Sequence, residues 1–219
     1  MADNVIGFVG VEKYEIILYL SRILHHLNLK VLLVDLSESE ALYSCIPIPN
    51  DMRNKENKID YRGIDFIKSE NKLYDLQGNY DVILIDFGFN SYSNILSQCN
   101  RILLFTDLQL HNIERIKNMK IQTVAEMSLI LKEFINCKIT PEFITTQIGY
   151  NIDKEQVYVF HNDIIDMKYK IHSQYDDCFH FKKLSRSYNQ FLKDVIFELV
   201  INIDLKTYRK AYKKAGRGK

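Results

Sequence analysis

Residues 4–36 read NVIGFVGVEKYEIILYLSRILHHLNLKVLLVDL, and three changes of pattern within them set the fold. Asn4–Val9 is a short apolar run with β-branched residues, closed by Gly10, and reads as a buried strand. From Lys13 to Leu27 the apolar positions Ile16, Ile17, Leu20, Ile23, Leu24 and Leu27 recur at intervals of three and four. That spacing marks one face of a helix. Lys30–Leu36 (KVLLVDL) is again apolar and of strand length, as expected of a strand covered on both faces. Strand, helix, strand at this spacing is the repeating unit of a parallel sheet.

The same alternation continues outward. Pro47, Pro49 and the polar stretch Asn50–Asp60 predict a surface loop, and Gly63–Ile67 a short strand. After a turn at Gly78-Asn79, Tyr80–Asp86 (YDVILID) reads as a buried strand, Tyr92–Gln98 as a short helix and Arg101–Phe105 (RILLF) as a further strand. Ile113–Met119 and Val124–Ile135 are expected to be helical, and Phe143–Ile148 and Val157–Phe160 to be strands. Leu184–Ile203 reads as a long helix with Tyr188, Phe191, Leu192, Val195 and Ile196 on one side. There is no internal repeat and no linker long enough to divide the chain. The expectation is one α/β domain over residues 1–205, a doubly wound, mostly parallel sheet with helices on both faces. Ligands of such sheets sit beyond the C-terminal ends of the strands, so function is sought there.

Composition agrees with a folded domain: 219 residues, 47% hydrophobic and 26% charged, with too little Pro (3) and Gly (8) for a linker-rich chain. The cysteines Cys45, Cys99, Cys137 and Cys178 form no CxxC pair and are expected to be free thiols. The N-terminal residues have no basic segment followed by a long apolar one, and no run approaches ~18 apolar residues. A cytoplasmic chain is expected. Residues 206–219 (KTYRKAYKKAGRGK) carry seven of the 29 Lys and Arg and none of the 28 acids, so the other 205 residues hold 22 basic against 28 acidic side chains, a net −6. A mildly acidic body ends in a basic tail.

The first strand end reads Gly7-Phe8-Val9-Gly10-Val11-Glu12-Lys13-Tyr14. A phosphate-binding loop has the form G-x-x-x-x-G-K-[ST] between strand and helix, and here Gly7 and Lys13 stand at the required separation. The second strand ends at Asp35, and the YDVILID strand at Asp86, four apolar residues followed by the carboxylate that in such sites holds the magnesium shell. With these residues in order, the chain resembles the ParA/MinD family of P-loop ATPases. The family pattern is strand, K-G-G-x-G-K-T-T, helix, K-V-L-L-I-D. It is matched here by Gly10-Val11-Glu12-Lys13 and by Lys30-Val31-Leu32-Leu33-Val34-Asp35, then by YDVILID and Arg101–Asp107 (RILLFTD). The resemblance covers residues 1–120 well and continues loosely to Leu199. The TadZ/CpaE branch, which localises pilus machinery, is one home that it implies.

The resemblance also implies what this loop has lost. Phe8 stands where the family places a lysine that reaches the partner's phosphates, Glu12 replaces the second loop glycine, Tyr14 replaces the magnesium-binding hydroxyl, and Ser37 replaces a second aspartate after Asp35. A carboxylate ~5 Å from a phosphate charge costs about 3 kcal/mol at an effective dielectric of ~20, about a hundredfold in affinity. Gly7, Gly10, Lys13, Asp35 and Asp86 are therefore expected to outline a vestigial nucleotide site with no cofactor and no resident metal, in which Lys13 pairs with Glu12, Asp35 or Asp86. Asp35 and Asp86 have the alternative reading of carboxylates that cap a turn. The expected function is that of a non-hydrolysing pseudo-ATPase, a binding or scaffolding component in the positioning or assembly of a bacterial machine. Its protein partner or second copy would meet the sheet-end face at Phe8, Glu12, Tyr14, Phe87, Asn90 and Tyr92. The alternative is a working ATPase that uses ATP and Mg²⁺ through Lys13 and Asp86.

Asp86-Phe87-Gly88 spells the kinase DFG, but the other kinase signatures are missing. The six histidines show no metal-ligand spacing. For the basic tail three readings stand: a frayed solvated end, a weak interfacial helix on anionic lipid with peripheral location at the inner membrane face, or a nucleic-acid contact. Leu205, Tyr208, Tyr212 and Ala215 have helical spacing.

Overall fold

A computed structural model describes residues 4–46, 58–68, 73, 78–90, 94–175 and 181–216. Eight strands form one sheet. They are β1 (Asn4–Gly10), β2 (Val31–Asp35), β3 (Ile59–Tyr61), β4 (Ile64–Ile67), β5 (Val82–Gly88), β6 (Arg101–Thr106), β7 (Glu126–Phe134) and β8 (Val157–His161), in the order β3-β4-β2-β5-β1-β6-β7-β8. Every neighbouring pair is parallel except β3 with β4. The helices are α1 (Tyr14–His26), α2 (Ala41–Ser44), α3 (Leu110–Asn118), α4 (Pro141–Ile148), α5 (Ile164–Tyr175), α6 (Arg186–Leu199) and α7 (Leu205–Ala215).

Alternation along the strands divides the interior into two cores. Ile6 and Phe8 of β1, with Leu33, Leu84 and Leu103, face α1, α6 and α7. Val5 and Val9, with Leu32, Ile83 and Leu104, face α3 and α4. Both layers are apolar, which is why the central strands read as unbroken apolar runs. The doubly wound α/β sheet expected from the sequence is thus present.

Several elements differ from expectation. Val124–Ile135, expected as a helix, contains β7, which lies between β6 and β8. Its apolar residues fit both periods, and burial on both faces of the sheet removes the alternation that would have marked a strand. Phe143–Ile148, expected as a strand, is helix α4. Thr140 Oγ1 accepts the Phe143 N–H, Pro141 occupies the first turn and Gly149 closes the helix at φ 78°. These end signals outweigh the β-branched residues inside. Helix α5 was not foreseen. Leu96–Gln98 forms a short 3₁₀ turn within the segment expected as a helix from Tyr92, and Tyr92 itself lies outside the described residues.

The basic end is not a frayed tail. Asp204 caps α7 by accepting the Thr207 N–H, and Tyr208, Ala211 and Ala215 are buried against the rest of the fold. From Tyr208 onward the apolar side of α7 is consumed by packing, Leu205 stays exposed, and Lys206, Arg209, Lys210, Lys213 and Lys214 face outward. Among the described residues no helix is long and apolar enough to cross a membrane.

Candidate functional site

The parallel arrangement brings the ends of β1, β2, β5, β6 and β7 to one edge. Strand β1 runs on through Gly10, whose φ of +107° and close approach to β6 exclude a side chain. A Cβ at Gly10 would lie 1.9 Å from the Phe105 carbonyl oxygen. The Val11 N–H donates to that same oxygen at 3.0 Å, so the neighbouring strand holds the start of the loop. Helix α1 begins three residues later, with Lys13 at its N-cap and no side-chain cap.

Lys13 does not extend into solvent. Its Nζ lies 2.7 Å from Asp86 Oδ1, with both side chains 1% exposed, and donates to the carbonyl oxygens of Gly10 (3.1 Å) and Val11 (3.3 Å). The next carbonyl, that of Glu12, accepts from Lys132 Nζ of β7 at 2.5 Å, and the same ammonium meets Glu15 Oε1 at 2.6 Å. Three successive loop carbonyls are therefore held by two buried ammonium groups. Burial pushes the Lys132 pKa down, and the Glu15 carboxylate opposes that shift. Glu15 Oε2 is buried without a hydrogen-bond partner.

The two aspartates divide their work. Asp86 takes Lys13, and its Oδ1 also accepts the Gly88 N–H at 2.9 Å. Asp35 caps a turn: Oδ1 accepts the Ser37 N–H (3.0 Å) and Ser37 Oγ–H (2.6 Å), and Oδ2 accepts the Tyr43 N–H (2.9 Å). Burial and the nearby Asp86 charge raise the Asp35 pKa, and these hydrogen bonds pull it back. The turn-capping alternative is what Asp35 does in this fold. Gly7, in the middle of β1, is covered by Cys99 and Phe87.

A cleft of about 360 Å³ opens beside the loop. Its walls carry Glu12, Glu38, Asp107 and Glu133 against Lys13, Arg115, Lys132 and Lys170. Each of these cations is engaged: Lys13 with Asp86, Lys132 with Glu15, Lys170 with Glu133 at 3.6 Å, and Arg115 with Glu38 at 3.9 Å and over the Phe89 ring at 3.5 Å.

Over 92% of this chain and 98% of the other, the fold matches a chain of the MinC:MinD cell division protein complex of Aquifex aeolicus, with a TM-score of 0.60 and 12% identity. It matches pNOB8 ParA bound to nonspecific DNA over 99% and 98%, with a TM-score of 0.50 and 14% identity. The chain has the ParA/MinD fold. No family model and no curated protein matches the sequence. The ParA/MinD fold also serves other chemistry: cobyrinic acid a,c-diamide synthase of Mycobacterium smegmatis matches over 89% and 94%, with a TM-score of 0.52 and 11% identity. The fold alone therefore does not decide what this cleft does.

A magnesium nucleotide in this ParA/MinD fold would need N–H groups aimed at phosphate, a hydroxyl on the metal and a free carboxylate in its shell. The groups present do not fit. The Gly10, Val11 and Glu12 carbonyls point at ammonium groups, Asp86 is tied to Lys13, and the Tyr14 phenol lies buried, donating to the Lys170 carbonyl at 3.4 Å and accepting from Gln174. Burial raises the Tyr14 pKa far above its ordinary value.

The expected partner face needs correction. Phe8 and Phe87 have no exposed surface and point into the two cores, and Tyr14 is 3% exposed, so these three are packing residues. Glu12 is exposed at the cleft, and Asn90 is half-buried and donates its N–H to the Phe87 carbonyl. Sequence reasoning missed Lys132. Its signal was one cation inside the apolar run SLILKEF, a position that a folded chain tolerates only with a partner.

Proposed function

We propose that this protein is a non-hydrolysing relative of the ParA/MinD ATPases that works as a binding or scaffolding component in positioning or assembling a bacterial machine of the pilus, secretion, partition or division type. One observation carries the reading: Lys13 and Lys132 occupy the loop carbonyls and Asp86, so the loop is already neutralised from within. A ligand would have to break the buried Lys13–Asp86 pair before Lys13 could reach a phosphate. Glu12 adds an exposed carboxylate at the same rim. The sheet-end face is the place for a protein partner or a second copy, in a cytoplasmic protein. The outward lysines and arginines of α7 offer a secondary, salt-sensitive contact to nucleic acid or to anionic lipid at the inner membrane face. One structural neighbour is a MinC:MinD complex and another is a ParA bound to DNA, which is consistent with partners of these kinds.

A working ATPase is the second reading, favoured by the adjacency of Lys13 and Asp86 to an open cleft. Thermal unfolding with ATP or ADP, with and without Mg²⁺, separates the two, because a ligand of the native state must raise Tm. The expected result is no shift at ~1 mM nucleotide, a concentration that would reveal any Kd below about 100 µM. A shift that disappears in Lys13→Ala overturns the reading of a loop closed to nucleotide, and release of phosphate by the same protein then decides for the ATPase.

A further inference from the structure

Helix α5 is held to the molecule almost without apolar packing. Of its twelve residues only Ser173 is buried, and Ile164, Ile165, Met167, Ile171 and Tyr175 are exposed. Polar bonds dock it instead. Asp166 Oδ1 accepts the Ser185 N–H at 2.8 Å, the Lys170 carbonyl accepts from the Tyr14 hydroxyl at 3.4 Å, Gln174 Nε2 donates to the Tyr14 oxygen, and Lys170 Nζ lies 3.6 Å from Glu133. Just before α5, the Asn162 N–H is tethered to the Phe134 carbonyl, and Asp163 then caps the helix by accepting the Ile165 and Asp166 N–H groups. Under α5 lies a cavity of about 40 Å³, lined by Glu15, Lys132 and Tyr188 of the body and by Asp166, Met167 and Lys170 of α5. Glu15 Oε2 and the Tyr188 hydroxyl are both buried without a hydrogen-bond partner. Each such group costs free energy for as long as it is kept from water.

Resting on the reading that the loop is neutralised from within, we propose that α5 is a lid over the Lys132–Glu15 pair: it opens as a unit about Asn162-Asp163, frees Tyr14 and exposes the pair to the cleft. Three features set the balance. Little apolar surface is lost when α5 swings out, so the hydrophobic effect, which holds most helices onto a fold, holds this one weakly. The bonds that break on opening are replaced by bonds to water, whereas Glu15 Oε2 and the Tyr188 hydroxyl gain partners that the closed state denies them. Tyr14, the first residue of α1, ties the lid to the loop whose carbonyls Lys13 and Lys132 hold. Closed, α5 shields Lys132, which is 6% exposed. A partner docking at the sheet-end face reaches the Lys132–Glu15 pair only from the open state, so the lid regulates that face.

The test uses the full chain without nucleotide and follows amide exchange of residues 168–175 beside that of β1. The α5 amides are expected to share one opening step, insensitive to low urea, and to exchange at least about a hundredfold faster than β1. Tyr188→Phe, which removes only the unpartnered hydroxyl, is expected to slow α5 exchange by about tenfold, and Tyr14→Phe, which removes a closing bond, to speed it by about the same factor. Access is read by acylating Lys132 with an amine-reactive ester and measuring the modified peptide by mass spectrometry. Labelling is expected to keep pace with α5 opening and to change with it in both variants. Exchange of α5 only together with β1 overturns the proposal. So does a Tyr188→Phe chain whose α5 exchanges unchanged or faster, because the hydroxyl is then satisfied in the closed state. Lys132 labelling that follows β1 instead of α5 overturns the lid over the pair. These rates are measured without ATP, so a Tm shift with nucleotide overturns the closed-loop reading and leaves them standing.

Discussion

Lys13 and Asp86 form a buried ion pair whose stability consequences differ from those of a ligand-binding lysine. Two charges 1% exposed and 2.7 Å apart have each lost their hydration, and only mutual pairing offsets that loss. Removing one partner strands the other. Lys13→Met and Asp86→Asn are each expected to cost about 3–5 kcal/mol in urea unfolding, and the double replacement Lys13→Met/Asp86→Leu to recover most of it. Additive losses in the double variant would show that the two groups do not act as a pair. Beside them, Gly10 admits no side chain because the Phe105 carbonyl fills the space. Glycine was legible as a loop residue, but the reason for it at this position is the adjacent strand. Lys132 was illegible as a site residue, since nothing within 124–135 reveals that it reaches Glu12, 120 residues away in sequence.

Elements with one strong local signal were legible, and those with two competing signals were not. Strands β1, β2, β5 and β6 and helices α1 and α6 follow from apolar runs and helical spacing. In β7 and α4 composition argued one way and position or end signals the other. Position settled β7, placed between two strands; end signals settled α4, with its Thr140 cap and Pro141. Helix α7 shows a third case, in which the spacing of Leu205, Tyr208, Tyr212 and Ala215 was visible but its destination was not. Tyr208 and Ala211 pack into the core beside α1, and the Tyr212 hydroxyl donates to the Phe181 carbonyl. Deleting residues 205–219 is therefore expected to destabilise the protein by at least about 3 kcal/mol, since it strips buried aromatic surface from the core. Lys206→Ala/Lys213→Ala, on the exposed side, is expected to stay within about 0.5 kcal/mol in the same thermal-unfolding measurement.

On the scale of the whole molecule, one sheet separates two apolar layers, and its middle strands are covered on both sides. Strand β1 lies between β5 and β6, and the chain's edges are β3 and β8. Amide hydrogen exchange is expected to be slowest in β1 and β5, close to the rate set by global unfolding, and faster in β3 and in the exposed helix α5. Equal protection in α5 and β1 in a dilute monomer would contradict this gradient. Polarity across the molecule has a functional consequence too. The cleft and the Lys13–Asp86 pair share one end, whereas the outward cations of α7 follow α6, which ends where Leu199 accepts from Asn4 at the opposite edge of β1.

The sequence by itself determined much of the alternation of strands and helices, the strand ends at Gly10 and Asp35, the place of Asp86 two residues before the end of β5, and the segregation of seven cations into the last fourteen residues. These are local properties, written in periodicity and in the charge of neighbouring residues. It left three acids open as partners of Lys13: Glu12, Asp35 and Asp86. Only tertiary structure chose among them, because the sheet order sets β5 beside β1 with Phe8 opposite Asp86, while Asp35, one strand farther out, turns to the Ser37 and Tyr43 backbone. An ion pair forms between groups that the folded chain makes adjacent, and adjacency across a parallel sheet is decided by the packing of both faces, not by the residues on either side of the charge.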